Sequence, residues 1–186
     1  MQTFLPDADF SRCAAILDQR RLGKQRIEAM QILRGVGRPA YGWGNHPVVR
    51  MWRRHPVALA CYARAICQAW TARGFADTCW GKLLDDLALL PGCARAARDL
   101  RGGDPVGFAP PEWLGAERLH GSHRAILLRK EPGHYARFGW LDRADGYVWP
   151  VPEGMGYRLV DGPAHVSAIV AAPPRRVRKS GQRRSA

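Results

Sequence analysis

Leu59, Tyr62, Ile66 and Trp70 fall at i, i+3, i+7 and i+11, one stripe along a helix of 3.6 residues per turn. Leu22, Ile27, Met30 and Leu33 show helical spacing upstream. From such patterning the chain reads as mostly helical. Helices are predicted over 9–18, with Asp7 or Asp9 as cap, and over 20–34, 47–54 and 56–73. Further helical stretches are 80–100, broken at Pro91-Gly92, then 113–130 and a last turn at 132–139. Gly23 lies inside the second helix, where glycine costs about 1 kcal/mol against alanine. A bend or a close approach is expected there. Residues 35–47 and 102–112 read as connectors. Within 140–172, GYVWPVP and YRLV read as short extended pieces or a surface appendage. The expected fold class is mainly α: a compact single-domain helical bundle with short irregular or extended pieces near the C-terminus.

A length of 186 residues suits one domain with a tail. The expected division is 1–150 for the helical domain, 151–172 for a C-terminal appendage and 173–186 for a basic disordered tail. Apolar runs are only a few residues long, so no membrane span is expected. The N-terminus lacks the basic and long apolar regions of a signal peptide. The net charge is +13, and residues 173–186 hold six basic residues and no acid. A charge of +7 therefore stays on residues 1–172, and a basic fold favours a polyanionic partner. Five cysteines, an odd number without a CxxC, read as buried thiols in a reducing cytoplasm.

Three clusters carry candidate chemistry. In DQRRLGKQRIE, residues 18–28, Arg21, Lys24 and Glu28 share a helical stripe. Glu28 is the only acid between Gln19 and Arg73, set among Arg20, Arg21, Lys24 and Arg26. Spacing alone also suits a solvated face with a Lys24–Glu28 pair. In GWGNHPVVRMWRRHP, residues 42–56, Trp43, Asn45 and His46 with Arg50, Arg53 and Arg54 suit base stacking and phosphate contact, whereas Trp52 suits the core. In the third, His120, His123 and His134 lack the i, i+4 arrangement of a metal-binding helix. Ser122, His123 and Arg124 are there the candidates for phosphate contact. No metal site is expected.

The segments MQTFLP, LDQRRLGKQRIEAMQILR, NHPVVRMW and SHRAILLRKEPGHY resemble a bacterial family of pyrimidine-dimer DNA glycosylases, distantly related to phage endonuclease V. The resemblance spans roughly residues 1–150, and the LGKQRIE block is its most specific part. It implies an all-α fold of the endonuclease V type and a cytoplasmic, nucleoid-associated DNA-repair enzyme. The implied partner is damaged double-stranded DNA, bound by a monomer without a metal or organic cofactor.

The chemistry that the resemblance implies starts with an N-terminal amine attacking the sugar C1′. The base leaves, a Schiff base forms, and β-elimination nicks the strand as an AP lyase does. The essential glutamate of that chemistry maps to Glu28, and its arginines map to Arg21 and Arg26. Gln2 is too large for the usual removal of Met1, so the amine would belong to Met1, with Lys24 as the alternative nucleophile. Arg20, Arg21, Arg26, Asn45, His46, Arg50, His123 and Arg124 are the candidate DNA contacts. Tyr147 and Trp149 are the available counterparts of the phage enzyme's C-terminal aromatics. Two rival readings are a non-enzymatic DNA-binding or damage-recognition protein, and a relative acting on other modified pyrimidines.

Overall fold

A computed structural model describes residues 1–38 and 42–162. The 173–186 tail, and the part of the appendage beyond residue 162, lie outside the described residues. The order is α1 (Phe10–Ile16), α2 (Gln19–Gly37), α3 (Pro47–Trp52), α4 (Pro56–Ala72), α5 (Trp80–Ala88), α6 (Ala94–Gly102), α7 (Glu117–Lys130) and α8 (Pro132–Tyr135). A 3-10 turn (Ala136–Phe138) and two strands follow, β1 (Val148–Glu153) and β2 (Gly156–Asp161). The mainly helical class expected from the patterning is the one observed.

Local chemistry sets the helix starts. Asp9 caps α1, its Oδ1 accepting from the Ser11 N–H at 2.7 Å and the Arg12 N–H at 3.0 Å. Asp18 does the same for α2 through the Arg21 N–H at 3.0 Å. Pro47 and Pro56 occupy first-turn positions of α3 and α4, where a missing N–H costs no helical bond. The α7 helix starts at Glu117 rather than 113, because Gly115 at φ 100° breaks the helical path.

The α2 helix continues unbroken to Gly37, three residues past the expected end. It packs against α3, α4 and α5. Gly23 reflects close packing: a Cβ there would lie 2.9 Å from Trp70 Cζ3 on α4. Leu22, Leu33, Leu59, Tyr62 and Ile66 are buried as the stripes require, whereas Ile27 is 44% exposed. Trp52 is fully buried. The five cysteines are free thiols, with Cys61 half-buried and the others buried.

GYVWPVP and YRLV, left open between extended pieces and an appendage, belong to one antiparallel hairpin. Its register runs from Val148 opposite Asp161 to Glu153 opposite Gly156. The Gly162 N–H donates to Tyr147 O at 2.9 Å, so odd-numbered positions of β1 are the hydrogen-bonded ones. Pro150 and Pro152 are even, and their lack of an N–H breaks no rung. The hairpin packs through β1 on α3 and α7. No helix among the described residues is long and apolar enough to cross a membrane.

Candidate active site

The first six residues run through the interior. Gln2, Thr3, Phe4 and Leu5 are buried, and the Met1 side chain is 4% exposed. An extended segment inside a helical core must satisfy its backbone groups by side chains; α2, α4 and α7 supply them, and α3 holds the Thr3 side chain. From α2, Gln25 Nε2 donates to Gln2 O at 2.9 Å, and Gln25 Oε1 accepts from the Phe4 N–H at 3.0 Å. The Tyr62 hydroxyl on α4 lies 3.1 Å from Phe4 O and 2.6 Å from Gln25 Oε1. The Trp52 indole on α3 donates to Thr3 Oγ1 at 3.0 Å. On α7, His123 Nδ1 accepts from the Leu5 N–H at 3.3 Å, and His120 Nδ1 lies 2.8 Å from Leu5 O.

The His120 tautomer follows from its other contact. Its Nε2 accepts from the Gly115 N–H at 2.9 Å, so Nδ1 carries the proton and donates to Leu5 O. Two histidines at i and i+3 thus hold the N–H and C=O of one residue. His134 Nε2 sits 2.9 Å from Ile16 O. Among the described residues, no group of three or more His, Cys, Asp or Glu side chains could hold a metal.

This route brings the N-terminal nitrogen to 3.6 Å from Glu28 Oε1. Lys24 Nζ is also 3.6 Å from that oxygen, although its side chain is 69% exposed against 8% for Glu28. The other oxygen, Oε2, accepts from Gln25 Nε2 at 2.7 Å. One nearly buried carboxylate therefore meets two amines and an amide.

Cations gather around it. Burial first, then Arg21, Lys24 and Arg129, lower the Lys130 ammonium below the usual lysine range. Burial and then the Glu28 charge raise the Tyr147 phenol. His46 caps α3 through Nδ1, which accepts from the Val48 N–H at 3.2 Å. Burial, and after it the N-terminal ammonium, push His46 down to about 4.

The expected DNA contacts divide into two sets. Arg20, Asn45 and Arg50 are exposed, and their side chains have no hydrogen bond or ion pair among the described residues. The rest have intramolecular partners. Arg21 reaches Asp18 Oδ2 at 2.7 Å and Lys130 O at 3.1 Å. Arg26 pairs with Asp77 at 2.6 Å and lies over the Trp70 ring at 4.2 Å, a cation–π geometry. Arg124 donates to both Asp142 oxygens and to Glu117, and its side chain is 14% exposed.

His123 is 1% exposed and holds the N-terminal segment instead of facing outward. His46 is also buried, with Trp43, 53% exposed, 5.9 Å away ring to ring. Ser122 Oγ accepts from the Val148 N–H and so pins the hairpin. Tyr147 and Trp149 are buried too, with no aromatic face free for a base. The sequence reading missed Gln25, Tyr62 and His120 as supports of the terminus. Gln25 stood inside the LGKQRIE block, but a polar residue among charges gives no sign of burial.

The buried histidines set a pH dependence. Burial lowers His123 to about 3, and the second cause is the neighbouring His120. In the unfolded chain histidine titrates near 6.5. Below pH 6.5 the unfolded state therefore binds more protons, and stability falls with pH. Each such histidine contributes a slope of up to about 1.4 kcal/mol per unit, fading towards its folded value. Asp18, Asp77 and Asp142 are held low by their hydrogen bonds although burial opposes it in all three, and they add a loss below about 3.8. Urea midpoints measured from pH 7 to 4 should decline from 6.5 downward. A flat profile over that range would mean that His46 and His123 protonate freely in the folded protein.

Residues 1–80 match a protein family described as pyrimidine dimer DNA glycosylase. The resemblance read from the sequence is borne out over that stretch, which holds Met1, Lys24 and Glu28. No curated protein and no solved structure matches the chain.

Proposed function

We propose that this chain is a DNA glycosylase for damaged pyrimidines, pyrimidine dimers first among them, and that it nicks the strand as an AP lyase through a Schiff base. The family match over residues 1–80 supports the glycosylase activity. The observation that carries the mechanism is the pair of amines, Met1 N and Lys24 Nζ, each 3.6 Å from Glu28 Oε1.

A neutral amine attacks C1′ while the N-glycosidic bond breaks and the base departs with that electron pair and a proton. The Glu28 carboxylate stabilises the positive charge that develops on the sugar. Loss of the amine proton and opening of the sugar ring give the iminium. Removal of a C2′ proton, with Glu28 as the base, then expels the 3′ phosphate oxygen. Water releases the amine. Covalent capture divides one hard substitution into easier steps. The chemistry asks only for an amine and a carboxylate.

Surface Arg20, Lys24 and Arg50, with the basic residues of 173–186, suit the phosphates of a duplex bound by one molecule of the protein. A damaged, poorly stacked nucleotide costs least to expose.

Borohydride reduction during incubation with a duplex carrying one pyrimidine dimer tests the reading. A covalent protein–DNA adduct is expected, and none with the undamaged duplex. Selective binding without an adduct or base release would overturn the enzyme in favour of a damage-recognition protein. An adduct formed only with another modified pyrimidine would redirect the substrate.

A further inference from the structure

Gln25 is fully buried one helical turn before Glu28, and its amide has no spare hydrogen-bonding capacity. Nε2 donates to Gln2 O at 2.9 Å and to Glu28 Oε2 at 2.7 Å. Oε1 accepts from the Phe4 N–H at 3.0 Å and lies 2.6 Å from the Tyr62 hydroxyl. A carboxamide offers two donors and an oxygen with two lone pairs, and all four are occupied. One planar group thus fixes the residue that follows the amine, the residue two further on, and the carboxylate beside the amine. Exposed Lys24 has no such hold.

We infer that Gln25 is a positioning residue that decides which nucleophile takes C1′, the N-terminal amine or water. The inference rests on the amine chemistry proposed above and adds the partition between two products. In both, the N-glycosidic bond breaks and the base leaves with its electron pair and a proton. If the amine nitrogen forms the new bond, the product is the iminium that borohydride reduces to a stable adduct. If a water oxygen forms it, the water proton is released and an intact abasic site remains, with no covalent link. An amine tied to Glu28 through Gln2 and Gln25 is held at the reacting face. Freed of that tie, it competes poorly with water, since a displacement of about 1 Å costs on the order of 100-fold in such reactions.

The measurement is adduct formed per N-glycosidic bond broken, since a dimerised base stays joined to its neighbour, taken early in a single turnover on the duplex that the unmodified protein cleaves. Gln25→Met keeps the length of the side chain and loses all four bonds. Gln25→Glu keeps the acceptors for Phe4 and Tyr62 and replaces two N–H donors by at most the one O–H of a carboxyl sharing a proton with Glu28, so the tie to Gln2 O or to Glu28 is lost; it serves if the first variant does not fold. Ile66→Val is the control for a loosened core, because Ile66 is fully buried on the same helix as Tyr62 and bonds neither Gln25 nor the terminus.

In either folded Gln25 variant the ratio should fall about tenfold or more, with duplex affinity near that of the unmodified protein and the ratio unchanged in Ile66→Val. A merely structural role would slow adduct and base release together. An unchanged ratio, or an equal fall in Ile66→Val, would overturn the inference. An unmodified protein that releases base without any adduct would instead overturn the amine chemistry beneath it.

Discussion

Glu28→Gln should bind duplex as before and lose base excision by on the order of 1000-fold or more. The substitution is isosteric, and the new amide oxygen can still accept from Gln25 Nε2, now at 2.7 Å from Glu28 Oε2. What disappears is the negative charge beside Met1 N and Lys24 Nζ. In the proposed mechanism that charge offsets the cationic sugar of the transition state, in a site whose carboxylate side chain is only 8% exposed. Partial burial makes it count for more than it would in water. The Lys24 partner is largely solvated, so loss of that pair alone changes stability little. Single-turnover excision and duplex affinity, measured side by side, separate the effects. Near-normal excision would show that Glu28 is a structural counter-ion to the N-terminus. Equal loss of binding and excision would place its role in holding DNA.

How much of this could be read in advance depended on whether neighbours in sequence were neighbours in space. The α2 and α4 stripes were legible because helical spacing brings Leu22 and Leu33, or Leu59 and Ile66, onto one face without further information. Glu28 stood out as the sole acid in a long cationic stretch. The path of residues 1–6 was not legible, because its partners Gln25, Trp52, Tyr62, His120 and His123 come from four helices.

The cationic candidates failed to separate for a related reason. Arg20 and Arg26 look alike in sequence, but Arg26 faces Asp77, 51 residues away. Arg124 likewise meets Asp142 across a turn of chain that no periodicity describes. For Arg26 and Arg124 it is long-range pairing of charges, and for Arg21 the neighbouring Asp18, that decides which arginines remain for a phosphate. The hairpin was half legible: its two extended pieces were visible, but their pairing depends on the parity of two prolines.

Blocking the N-terminal amine should abolish borohydride trapping, whereas Lys24→Arg should weaken turnover and still give an adduct. Both nitrogens lie 3.6 Å from the same oxygen, so distance does not choose between them. Order does. The N-terminal segment is hydrogen-bonded to four helices, while the Lys24 side chain is 69% exposed and would have to be immobilised for the reaction. Its cation is better suited to a phosphate, a role that arginine preserves. Acetylation of the terminus is the cleaner block, because it removes the nucleophile with the least added bulk. A permanent extension would also have to leave past a Met1 side chain that is only 4% exposed. Trapping that survives the blocked terminus and disappears in Lys24→Arg would transfer the nucleophile to Lys24. Trapping that survives both changes would exclude both amines, and peptide mapping of the reduced adduct would then name the nitrogen that reached C1′.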